Sequence, residues 1–80
     1  MAKARVYVTL KKSVFDPQGR TIHEALLGLG YAQVADVRQG KFFEVELDGD
    51  DRAAAETRVA EMAATLLANP VIESYRVEVL

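Results

Sequence analysis

Phe15-Asp-Pro-Gln-Gly-Arg-Thr-Ile22 and Leu66-Leu-Ala-Asn-Pro-Val-Ile-Glu-Ser-Tyr75 set where two helices begin and end, and with them the order of elements along the chain. In the first stretch Asp16 is placed as an N-cap, followed by Pro17 at the first helical position, where a missing N–H costs nothing. Thr21-x-x-Glu24 offers a competing capping box further in. The fixed φ of Pro17 favours the start at Asp16, although Gly19 weakens that first turn. Ile22, Ala25, Leu26 and Leu29 then form an apolar stripe at i, i+3, i+4 and i+7. Gly30 ends the helix as a left-handed C′ residue, with Tyr31 packing back on the last turn. In the second stretch Asn69-Pro70 stops a helix running from about Arg52 to Ala68, because a residue before proline is pushed out of the helical region.

The segments between these landmarks alternate as strands do. Arg5–Leu10 places Val6, Val8 and Leu10 on one face and Arg5, Tyr7 and Thr9 on the other. Val34–Arg38 and Lys41–Leu47 flank Gln39-Gly40, which predicts a hairpin with glycine at positive φ. Phe43, Val45 and Leu47 share one side of the second of these, and Phe42, Glu44 and Glu46 the other. Asp48-Gly-Asp-Asp51 forms a turn and the acidic start of the second helix, whose inner side carries Ala55, Val59, Met62, Ala63, Leu66 and Leu67. A last strand from Val71 or Ile72 to Leu80 sets Tyr75, Val77 and Val79 against Ser74, Arg76 and Glu78. The βαββαβ order with two amphipathic helices predicts an α+β fold of ferredoxin-like plan, one antiparallel sheet with both helices on a single face, as one domain over residues 1–80.

Eighty residues bury only about 60% of the unfolded chain's surface, so the core is thin and self-association is a common supplement. The absence of cysteine excludes disulfides and thiolate metal sites. A net charge of −2 lacks the basic footprint of a nucleic-acid binder. No apolar run approaches the ~20 residues of a membrane span, and no apolar leader follows Met1, so the expected location is the cytoplasm.

Reactive constellations are missing from the sequence. His23 is the one histidine, beside Glu24 on the first helix, with no second ligand spaced to join it. Ser13 lacks the arrangement of an activated nucleophile. Gly28-x-Gly30 closes a helix, whereas phosphate-binding glycines open one. Asp48, Asp50 and Asp51 lack the closing glutamate of a calcium loop. Phe42 and Phe43 are adjacent and so point to opposite faces, unlike the alternating aromatics of an RNA-binding strand. The outer sheet face is more informative, because it joins Tyr7 and Phe42 among mixed charges and reads as an interface. Arg38 and Lys41, flanking the predicted hairpin turn without an evident folding role, are further interface candidates.

The Asp16-Pro17-x-Gly19 turn, Leu29-Gly30-Tyr31, Arg38-x-Gly40-Lys41 and Asn69-Pro70-Val71-Ile72-Glu73 together resemble the small PurS-type subunits of phosphoribosylformylglycinamidine (FGAM) synthase, over nearly the whole chain. The resemblance implies a non-catalytic subunit in purine biosynthesis. On this reading the chain binds no cofactor, while ATP and Mg serve the large synthetase subunit. It implies three partners, namely the chain itself as a homodimer or tetramer, that large subunit, and a glutaminase subunit that releases ammonia. The alternative from another class is an ACT-like regulatory module, which shares the strand and helix order. That module calls for a glycine-rich ligand contact after the first strand, and Ser13–Pro17 offers only Gly19, already inside the helix. An acylphosphatase-like enzyme calls for a phosphate-cradling loop with arginine, where Lys11-Lys12-Ser13 has none.

Overall fold

The computed structural model describes residues 1–80. Its elements are β1 (Ala2–Leu10), α1 (Pro17–Gly28), β2 (Gly40–Leu47), α2 (Arg52–Met62) and β3 (Glu73–Val79), with α2 widening into a π-helical turn over Ala63–Leu67. The three strands form an antiparallel sheet in the order β2-β1-β3. Register matches like with like: Val6 lies between Phe43 and Val77 on the inner face, and Tyr7 between Phe42 and Arg76 on the outer. Small residues line the centre of the inner face, so α2 packs closely there. Ala4, Val6 and Val8 of β1 meet Val59 and Ala63, and all are essentially free of solvent. β1 begins at Ala2, earlier than the predicted Arg5, because Ala2 and Ala4 continue the same buried face opposite Leu47 and Val45.

The α+β class, with an antiparallel sheet and two helices, is the one read from the sequence. Two of its parts are placed differently. Residues 34–38 do not form the predicted strand, and α2 is the only helix that packs on the sheet. The cause is local hydrogen bonding. The Gln39 N–H donates to Asp16 Oδ2 at 2.7 Å, His23 Nε2–H donates to the Val34 carbonyl at 2.8 Å, and Arg38 Nη2 donates to the carbonyls of Lys11 and Val14 at 3.0 and 2.9 Å. These bonds fasten the segment to α1 and to the connection before it, and two of them use backbone groups, the Gln39 N–H and the Val34 carbonyl, that a strand ladder would need. Gly40 consequently has no positive φ, and only Gly30 (φ 101°) and Gly49 (φ 97°) do. Gly40 is required for another reason: a Cβ there would stand 2.3 Å from the Val8 carbonyl oxygen, where β2 starts against β1.

Residues 11–39 therefore form an arm beyond the end of the sheet. The molecule measures 48 × 25 × 14 Å with a radius of gyration of 15.9 Å. A compact chain of this length has about 12 Å. The stripe predicted to face the core lies largely open instead, with Ile22 at 40% and Leu29 at 75% exposure and Leu26 half-buried.

Candidate interaction surfaces

Two surfaces stand out, the outer sheet face and the arm. On the sheet face, antiparallel register sets Tyr7 directly opposite Phe42 on one side and Arg76 on the other. The Tyr7 and Phe42 rings lie 5.4 Å apart, tilted by 49°, and the Arg76 guanidinium sits 4.3 Å from the centre of the Tyr7 ring. Tyr7 donates its hydroxyl to Glu78 Oε1 at 3.2 Å. Arg5 bridges Glu44 and Glu78 at 3.8 Å each, and Lys3 reaches Glu44 at 3.5 Å. The result is an aromatic and guanidinium centre with charged neighbours, the residue types that anchor protein interfaces. Strand alternation placed Arg76 and Glu78 on this face. The contact with Tyr7 follows only from the β1–β3 register, which pairs residues about 70 positions apart and has no local sequence mark.

Arg38 and Lys41 have folding roles that the sequence did not disclose. Arg38 clamps two carbonyls of the β1–α1 connection, as described above. Lys41 lies 3.4 Å from Glu73 Oε2 across the end of the sheet, and the Glu73 side chain is largely buried. The same carboxylate accepts the Asn69 N–H at 2.7 Å, and this bond, helped by Lys41, holds the Glu73 carboxyl below its ordinary range. Arg38 thus clamps the base of the arm to the β1–α1 connection.

Asp16 is the most constrained polar residue. It caps α1 by accepting the Gly19 N–H at 2.9 Å and accepts Gln39 N–H through its other oxygen. Those two bonds, the Gln39 one foremost, hold its carboxyl below the usual carboxylate value although the residue is buried. Gly19 allows the approach, since a Cβ there would lie 2.3 Å from the Val37 carbonyl and 2.6 Å from Asp16 Oδ2. The glycine that weakens the first helical turn in isolation is what lets residues 36–39 lie against it.

The sequence and the fold both have counterparts among known proteins. The family model for PurS, described as phosphoribosylformylglycinamidine (FGAM) synthase, matches residues 3–80. The chain belongs to the PurS family. It is 49% identical over 79 residues to the FGAM synthase subunit PurS of Bacillus subtilis, spanning 99% of this chain and 93% of that protein. The corresponding subunit of Methanocaldococcus jannaschii is 42% identical over 79 residues, covering 99% of this chain and 95% of that one. The fold of B. subtilis PurS aligns with a TM-score of 0.86 over 100% of this chain and 99% of that one. A chain in the structure of PurLQS from Thermotoga maritima aligns with a TM-score of 0.87 at 30% identity, over 100% and 99% of the two chains. The chain is thus a PurS-type subunit of FGAM synthase, an assignment to purine biosynthesis. No helix is long and apolar enough to cross a membrane.

Proposed function

We propose that this chain is a non-catalytic subunit that holds the glutaminase and the ATP-dependent synthetase subunits of FGAM synthase together in the cytoplasm. Ammonia released from glutamine would then reach the formylglycinamide ribonucleotide bound on the synthetase, where ATP and Mg activate the amide oxygen for attack. The carrying observation is that a PurS-family chain of this size leaves two separate surfaces uncovered, the Tyr7–Phe42–Arg76 face and the apolar side of the arm. Likeness to a chain of the T. maritima PurLQS structure supports the same reading. Two surfaces allow one small domain to contact a second copy of itself and a different subunit at once. The value to catalysis is shelter: free ammonia is lost to water and protonation unless the donor and acceptor sites are docked.

The test is reconstitution of the synthetase and glutaminase subunits with and without this chain. Glutamine-dependent turnover should fall without it, while turnover on added ammonium should persist, because free ammonia needs no docked glutaminase. Unchanged glutamine-dependent turnover would overturn the bridging role. The isolated chain should hydrolyse neither glutamine nor ATP.

A further inference from the structure

We propose that the arm is a latched element, and that the same chain has a second, closed fold that Asp16 and Arg38 hold it out of. In the closed form α1 lies on the inner face of β1 and β2, and residues 34–38 pair with the free edge of β2.

Four observations on the molecule carry this. First, the inner sheet face is only partly roofed. α2 packs on β1 and β3, leaving Phe43, Val45 and Leu47 of β2 half-buried. Secondly, β2 is an edge strand whose outer backbone groups have no strand beside them. Thirdly, α1 carries a stripe of core-helix period, Ile22, Leu26 and Leu29, of which Ile22 and Leu29 are exposed and Leu26 is only half-buried. Fourthly, Val34–Arg38 alternates like a strand yet pairs with none. The missing roof, the missing strand, the unburied stripe and the unpaired strand sequence are complementary, and all four would be satisfied by one movement of the arm.

What opposes that movement is concentrated at the arm's base. Arg38 ties the end of the arm to Lys11 and Val14, in the connection that would have to turn back on itself. That connection is also tightened by the Val14 N–H to Lys11 carbonyl bond of 2.8 Å. Asp16 ties Gln39 to the start of α1. A short, fastened connection favours the open arrangement, in which the apolar stripe is buried on another copy, and a slack one favours closure on the chain's own sheet. The latch thereby decides whether the chain offers an arm for assembly. This rests in part on the reading that copies of the chain associate.

Small-angle scattering together with light scattering on the full chain tests it. Two variants loosen the base independently, Arg38→Ala and an insertion of four Gly/Ser residues between Ser13 and Val14 that alters no side chain. The expected result is particles of one-chain mass whose radius of gyration falls from 15.9 Å towards about 12 Å. Variants that remain in wild-type assemblies, or single chains that keep a radius near 15.9 Å, would overturn the latch. So would an expanded, unfolded chain of about 28 Å for both variants. Wild-type mass answers the association question separately. A wild-type monomer would remove the homo-oligomer reading, while compaction of the variants would still be judged by radius.

Discussion

Asp16 and the glycines around it show how much a single residue decides here. Asp16 is read from sequence as a helix cap, and it is one, but its second oxygen also fastens Gln39, 23 residues away. Sequence displays the first role because capping is local, and hides the second because nothing marks which distant N–H will arrive. The bonded carboxylate has a folded value below its ordinary one. Its contribution to stability is therefore complete above the ordinary carboxylate range, about pH 4, and is lost as pH falls through the lowered folded value. Asp16→Asn should lower Tm at neutral pH, because its amide group must turn one donor towards a backbone N–H. The gap from wild type should narrow below about pH 4 in thermal melts recorded against pH. Glycine substitutions should separate two causes. Gly30 has φ 101° and open space around a would-be Cβ, so Gly30→Val should cost on the order of 1–2 kcal/mol, from backbone conformation alone. Gly19→Ala should cost more, because its methyl meets the Val37 carbonyl, and Tm values for the pair will show the order.

At the scale of elements, the starts and stops were legible and the packing was not. Asp51 caps α2 by accepting the Ala54 N–H at 3.2 Å, as the acidic turn before it implied. The bend after α2 is also where Asn69-Pro70 put it, although the last turn is π-helical and the Ala68 N–H reaches back to Ala63 at 2.9 Å. Asn69 supplies most of the bend: its side chain accepts the Val71 N–H at 3.0 Å, its carbonyl accepts the Glu73 N–H at 2.7 Å, and its own N–H bonds Glu73. Pro70→Ala should accordingly cost less than about 1 kcal/mol, and Asn69→Ala more, as read from urea midpoints. α2 matters through a narrow seam of small residues. Val59 is wholly buried against β1, so Val59→Ala should cost about 2 kcal/mol by the loss of two methyl groups and the cavity left behind. α1 obeys the opposite rule. Its stripe has the right period for a core helix, and periodicity says that a face will be buried without saying in which molecule.

For the whole molecule, that ambiguity separates the expected ferredoxin-like plan from the arm-and-sheet arrangement observed. The sequence contains every element of the compact form, and hydrogen bonds at Asp16, His23 and Arg38 redirect one helix and one strand away from it. The consequence is an apolar surface on the arm in addition to the aromatic sheet face, and the two differ in character. Phe42 is half-exposed among paired charges, whereas the arm exposes four large apolar side chains: Phe15 and Leu27 beside the Arg20–Glu24 pair, and Ile22 and Leu29 along the apolar stripe of α1. A thin core makes covering the arm worth more to this chain than covering the sheet. Self-association should therefore depend most on the arm. Light scattering at micromolar concentration should give a mass above one chain for wild type and a mass near one chain for Ile22→Glu combined with Leu29→Glu. Neither side chain contributes to the buried core, so circular dichroism should retain the sheet and α2. Phe42→Glu should weaken association less than the arm variant and more than Glu44→Gln, which keeps shape and removes one charge from an exposed pair. A wild-type mass of one chain, or an arm variant that assembles like wild type, would show that the arm's apolar side is not where copies meet.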